Sequence, residues 1–280
     1  MPTQRRQVLH NIAGLSAGLL ALNQTAPAQA AEPPSLAALR EAGLDPLAVY
    51  IKMFASMTKG AECCWWFMGA LPRDVQDVGA VDTIQEETVR IHRTEMVSAD
   101  QIDFRWREVG IFRDIMTGEI PEQRFDPVTG LSKTGNTTIG GGASARVTVR
   151  KADADLSVGV SIPGNTTGII SVGATVDSGR VCLTHTEDKT RALSDGTPGP
   201  TNRTTFKIYA NLSDLKGNAP NVPANGFYGV KNRDTGKIFV NGLVRKAALD
   251  EKVNPIAWNR LKAAHPSFFK DDRLAPSWEA

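Results

Sequence analysis

Three cysteines, four histidines and three tyrosines are all that the 280 residues carry of those types. Cys63 and Cys64 are adjacent, and a bridge between neighbours is strained. Cys182 could pair with one of them in an oxidising compartment, or all three could be buried thiols. No CxxC, HxxxH or HExxH spacing occurs, so no metal site is expected. Gly140-Gly141-Gly142 lacks the strand–turn–helix setting of a phosphate-binding fingerprint, and no other motif argues for a cofactor. An excess of either charge is missing too, with 32 Lys+Arg against 30 Asp+Glu. That balance leaves no electrostatic footprint for nucleic acid or for an anionic lipid surface. The apolar stretch at residues 12–22 is about half the length of a spanning helix, so no stable membrane insertion is expected.

What is present begins at the N-terminus. Arg5-Arg6-Gln7-Val8-Leu9 follows the twin-arginine pattern, residues 12–22 are uncharged, and Ala28-Gln29-Ala30 is a small-x-small cleavage site. Residues 1–30 therefore read as a twin-arginine signal peptide, and residues 31–280 as one domain delivered to the bacterial periplasm by the twin-arginine translocase. Such signals are addresses and carry no fold information. Removing this one takes away Arg5 and Arg6 and no acid, so the basic count falls from 32 to 30 and equals the acidic count of 30.

Beyond the signal, Ser35 to Gly43 reads as a short helix with a serine cap and a glycine stop. Alternating apolar and polar residues then predict strands at 49–57, 62–70, 88–97, 101–114, 119–125, 143–150, 156–162, 168–176, 180–187, 204–212, 227–231 and 237–241. Polar loops are expected at 131–142 and 190–202, and helical spacing returns at 255–265. The strand at 62–70 is apolar on both faces, as when a sheet is covered on both sides. The pattern predicts a mainly β single domain, an antiparallel barrel or sandwich with a short helix near each end. A barrel with an interior cavity is favoured.

Chemistry is sought where a polar side chain falls in phase with apolar ones. Glu108 shares its phase with Ile102, Phe104, Trp106 and Phe112, and a carboxylate aimed at an apolar interior is the kind of group that becomes an acid or base. A structural ion pair would place it there equally well. His185 is in phase with Val181 and Leu183 and is a candidate proton carrier, or a core histidine held by a hydrogen bond. His92 lies with Arg90 and Thr94 on the polar phase of its strand. Arg105, Arg107, Arg113 and Arg124 cluster around one hairpin, where Arg107 or Arg124 could stabilise an anion. Tyr50, Trp65, Trp66, Phe104, Trp106 and Tyr209 could line a hydrophobic cavity or simply fill the core.

Several of these segments together resemble the DUF1838 family of bacterial proteins. The resemblance rests on Trp65-Trp66 with Gly69, Arg107-Glu-Val-Gly-Ile-Phe-Arg-Asp114, Thr117-Gly118-Glu119, Asp126-Pro-Val-Thr-Gly130, Asn211-Leu-Ser-Asp-Leu215, and a tail from Trp258 through His265-Pro266 to Ala275-Pro276. It spans residues 45–278 and implies a divergent member, because the His and Asn-Asp-Pro that usually follow the hairpin are missing from residues 134–142. It implies an architecture and an exported location, and no mechanism. The expectation for function is a cofactor-independent lyase, isomerase or hydrolase that encloses a small hydrophobic molecule, aromatic or terpenoid. The alternative is a non-catalytic binding or carrier protein, and the oligomeric state is left open. An intact mass of the periplasmic protein should correspond to a chain beginning at Ala31; a mass that includes residues 1–30 would refute the cleavage site.

Overall fold

The computed structural model describes residues 35–70, 84–114, 117–120, 123–126, 131–134, 138–139, 145–152, 155–161, 166–192, 198–236 and 238–278. Residues 1–30, read above as the signal, lie outside them. Helix α1 (Ala37–Glu41) stops where Gly43 takes φ +73°, a conformation that glycine adopts without cost. The next element corrects the sequence reading. Residues 49–57 were expected as a strand, yet α2 (Pro46–Phe54) is a helix. Asp45 accepts a hydrogen bond from the Leu47 N–H at 3.1 Å, and Pro46 stands in the first helical turn, where its missing N–H costs nothing. Leu47, Tyr50, Ile51 and Phe54 then recur at helical spacing and are all buried.

The rest is antiparallel sheet. The strands are β1 (Glu62–Ala70), β2 (Ile84–Val97), β3 (Gln101–Asp114), β4 (Gln123–Asp126), β5 (Leu131–Thr134), β6 (Thr138–Ile139), β7 (Ala145–Ala152), β8 (Asp155–Ser161), β9 (Thr166–Asp177), β10 (Arg180–Ala192), β11 (Pro198–Asn211), β12 (Asn225–Asn232) and β13 (Ile238–Ala247). Their order in the main sheet is β8-β7-β3-β2-β1-β13-β12-β11-β10-β9, with β6 added to β3. β8 and β9, at the two ends of this order, come back alongside each other. The result is a nearly closed ten-stranded antiparallel barrel. Among the described residues no ladder joins β8 to β9, so one seam is unlaced. The expected loops at 131–142 and 190–202 instead hold β5 and β6 and the ends of β10 and β11. A short helix, α3 (Leu212–Lys216), follows β11 where only a strand end was read.

Both faces of one barrel wall are covered. On β1, Trp65 and Phe67 point into the lumen and join the main core, while Cys64 and Trp66 point outward. The outward set packs with Val89, Ile91, Val109 and Ile111 under helix α4 (Pro255–Ala264), with Trp66 stacked on Trp258 at 6.1 Å. β14 (Phe269–Lys270) and β15 (Arg273–Leu274) complete this cover. All three cysteines are unpaired thiols: Cys63 and Cys64 are buried and Cys182 is half-buried.

A pair of glycines sets the interior. Gly69 of β1 and Gly242 of β13 are register partners, and Gly242 also faces Tyr228 of β12. A Cβ on either glycine would overlap Tyr228. The tyrosine ring therefore lies across two strands, and its hydroxyl donates to Glu86 Oε2 on β2 at 2.9 Å. Gly242→Ala would also overlap the Met68 carbonyl and the Gly69 Cα, which are backbone and cannot swing aside. We expect Gly242→Ala to lower the urea-unfolding free energy by about 2 kcal/mol, within the range for overpacking. Gly159→Ala, which meets nothing within 4 Å, should change it little. Equal effects would refute the crossing geometry.

Candidate functional site

Helix α2 packs its buried face into the lumen core, and its last turn organises the side chains around it. Helix C-termini leave carbonyl oxygens without intrahelical partners. Here Phe54 O accepts from Trp65 Nε1 at 2.9 Å and from His92 Nδ1 at 2.7 Å. Lys246 Nζ donates to Lys52 O at 2.7 Å and Ala55 O at 2.6 Å. A buried cation suits that end of the helix dipole, and burial holds the Lys246 ammonium below its ordinary pKa. On the same helix, the Tyr50 hydroxyl and His185 Nδ1 share a hydrogen bond of 3.0 Å.

The lumen holds two adjoining chambers. One, of about 40 Å³, is lined by Tyr50, Phe54, Trp65, Phe104, Trp106 and Phe206, with His92 and His185 among them. The other, of about 120 Å³, is lined by Glu86, Thr88, Glu108, Thr204 and Tyr228, with Val230 and Val240 beside them. Phe67, Arg90, Glu187, Lys189 and Phe206 border both. An aromatic compartment thus opens onto a charged one.

The charges are set against one another. Arg90 and Glu108 are directly opposed on β2 and β3, and Arg90 donates through Nε and Nη2 to Glu108 Oε2 at 2.8 and 2.7 Å. The guanidinium lies 4.0 Å from the Trp106 ring centroid and 4.9 Å from that of Phe67, within cation–π range. Lys189 pairs with Glu187 Oε2 at 2.7 Å. Glu86 accepts from Thr88 and Tyr228, both at 2.9 Å. Burial pushes the Glu86 carboxyl above its ordinary pKa, with Glu108 adding to the rise and the two hydroxyls and Arg90 opposing it. A proton on Glu86 would leave two carboxylates facing two cations. Among the described residues no group of three His, Cys, Asp or Glu could hold a metal ion, and no helix is long and apolar enough to cross a membrane.

The sequence-derived candidates divide between the faces. Glu108, His185, Tyr50, Trp65, Phe104 and Trp106 meet in the lumen. Trp66 lies in the outer core, and Tyr209 packs edge-on against Phe227 at a separate cleft. Arg107 is on the outer face of β3, where it donates to the Ser277 carbonyl, and so stands away from Glu108. Arg124 belongs to the β4–β5 ribbon, opposite Lys133, and its side chain lies outside the described residues. Arg105 and Arg113 are also outward, paired with Glu95 and Glu87. The arginine beside Glu108 is Arg90. Sequence reasoning passed over Glu86, Arg90, Glu187, Lys189 and Tyr228. The usable signal was that Arg90, His92 and Thr94 alternate with Val89 and Ile91, which shows that β2 has two distinct faces.

Comparison with family models, curated proteins and solved structures returns no match.

Burial holds the His185 imidazole down at about 4, the nearby Glu187 carboxylate opposing the fall. It is neutral at pH 7. In the unfolded chain an ordinary histidine titrates near 6.5, so between about pH 6.5 and 4 the unfolded state binds the extra proton. The His185 contribution is fully present above pH 6.5 and is lost as the pH falls towards 4. Wild type should lose unfolding free energy across that window more steeply than His185→Phe, by up to about 1.4 kcal/mol per pH unit. Parallel pH curves from urea denaturation would contradict this burial of a neutral imidazole.

Proposed function

We propose that this chain is an exported protein of the bacterial periplasm, a divergent relative of the DUF1838 proteins, whose barrel encloses a small ring-sized molecule and performs acid–base chemistry on it. The reading rests on one observation: an aromatic chamber opens onto a carboxylate, guanidinium and hydroxyl cluster inside the same lumen. Charged groups in an interior cost stability, and a hydrophobic filling of the same space serves the fold as well or better. Their presence is accounted for by something that the lumen receives. A 150 Å³ apolar cavity is enough for benzene, so chambers of about 120 and 40 Å³ suit a single-ring aromatic and exclude a terpenoid unless the walls move.

The roles follow from position. Glu108, held by Arg90, borders the larger chamber and is the candidate base. Glu86 keeps a proton more readily than an ordinary carboxyl and is the candidate acid, oriented by Tyr228 and Thr88. Arg90 takes the anion-stabilising part expected of Arg107 or Arg124. His185, neutral and tied to Tyr50, is placed to pass a proton at the aromatic end. The chemistry that two carboxyl groups and a guanidinium can do unaided is of the lyase, isomerase or hydrolase kind. The second reading, a carrier with no turnover, draws support from the tightness of the Arg90–Glu108 pair, which a reacting base must loosen.

Protein isolated from its host's periplasm should carry, in a native mass spectrum, an added mass of a small aromatic that disappears on denaturation. With that molecule as substrate, Glu108→Gln and Glu86→Gln should each reduce turnover by about a hundredfold or more, as loss of a general acid or base does. Full activity in Glu108→Gln would remove it from the mechanism. A ligand recovered unchanged after long incubation would establish the carrier.

A further inference from the structure

Two residues that line the aromatic chamber each carry a buried acceptor atom with no hydrogen-bond partner among the described residues. Glu187 is 5 % exposed and its Oε2 is taken by Lys189, yet its buried Oε1 has no hydrogen-bond partner among the described residues. His92 is likewise 5 % exposed. Its Nδ1 lies 2.7 Å from the Phe54 carbonyl, and a carbonyl only accepts, so Nδ1 carries the ring proton. Burial and the nearby Arg90 keep the imidazole neutral. Nε2 is then a bare lone pair, and it too is buried without a partner. Both residues border the same chamber of about 40 Å³. An unsatisfied buried polar atom costs about 1–3 kcal/mol, and more where the acceptor is charged, so the Glu187 carboxylate is the stronger of the two demands for a donor hydrogen.

The chamber itself restricts what can meet that demand. Its volume of about 40 Å³ holds a hydroxyl group but not a whole ring, since benzene fills a cavity of about 150 Å³. Its walls include Phe54, Trp65, Phe104, Trp106 and Phe206. An ammonium would meet Arg90, which already lies over Trp106 and Phe67, and Lys189, which already neutralises Glu187. An anionic oxygen would face two lone pairs. What fits is a neutral O–H on an apolar ring, its single hydrogen given to the charged Glu187 Oε1. We infer that the Glu187–His92 chamber is a hydroxyl-recognition subsite, and that the molecule taken into this lumen is a small phenol or a related hydroxylated aromatic whose ring lies towards the larger chamber.

This rests on the enclosed-ligand reading above and narrows it, and a ligand series separates the two. Phenol, toluene, anisole and benzylamine are titrated into the wild-type protein by ligand-detected NMR. Phenol should bind at least about tenfold more tightly than toluene or anisole, the difference expected for one hydrogen bond to a charged acceptor, and benzylamine should bind most weakly. Toluene or anisole binding as well as phenol would overturn the hydroxyl subsite and leave the aromatic cavity standing. Tightest binding of benzylamine would overturn it in favour of an ammonium site. Failure of all four to bind would overturn both readings. In Glu187→Gln, which keeps the shape and removes the charge, the preference of phenol over toluene should fall severalfold, with toluene affinity unchanged as the check on folding. An undiminished preference would eliminate Glu187 as the acceptor.

Discussion

The C-terminus of α2 ends inside the barrel, and the oxygens left over there have to find donors where no solvent reaches. That requirement places Trp65, His92 and Lys246 together, from three different strands, around the carbonyls of Lys52, Phe54 and Ala55. The remaining lumen inherits its arrangement from them. Because His92 gives its only proton to Phe54 O, its other nitrogen is free to accept. Because Tyr50 rides on the same helix, His185 is held at its Nδ1. A buried helix end that had to be capped thus fixes the hydrogen-bonding character of the chamber next to it.

The interior changes character along its axis. Near α2 most side chains are aromatic and apolar, and Trp65, His92 and Lys246 are tied to the helix end. Farther along, Arg90, Glu108, Glu187, Lys189, Glu86 and Tyr228 form a layer in which each cation has an acid within hydrogen-bonding distance. Arg90 belongs to both regions. Its charge meets Glu108 while the flat face of its guanidinium covers Trp106, a combination that an ammonium does not offer. On the outer surface of the same wall, Glu87 is fully buried between Arg113 and Arg260. One strand, β2, therefore carries buried acids on both of its faces, at neighbouring positions.

This explains what could and could not be read from the chain. Period-two alternation and regular turn residues located the barrel and most of its strands, because those signals are local. Residues 49–57 misled because Val49, Ile51 and Met53 alternate as a strand would; the Asp45-Pro46 start was the better guide. Glu108 and His185 were found because they break an apolar phase. Arg90 and His92 were passed over because a polar phase is ordinarily the wet one, and here the opposite phase, Val89 and Ile91, packs under α4. Once both faces are covered, alternation shows that two faces exist and no longer shows which is inside. Partners such as Glu86 with Tyr228 sit 142 residues apart, and nothing local announces them.

The Tyr228 crossing has a consequence for how such a barrel can change over time. Gly69 and Gly242 leave the hollow, the ring fills it, and Glu86 is the distant end that makes the reach worthwhile. A side chain added at either glycine evicts the ring, and a smaller residue at 228 leaves a void above two bare backbones and an acid without its donor. No single step leads from this arrangement to another good one. The four positions are inherited as a block, and among descendants of this chain they should be kept together or exchanged together.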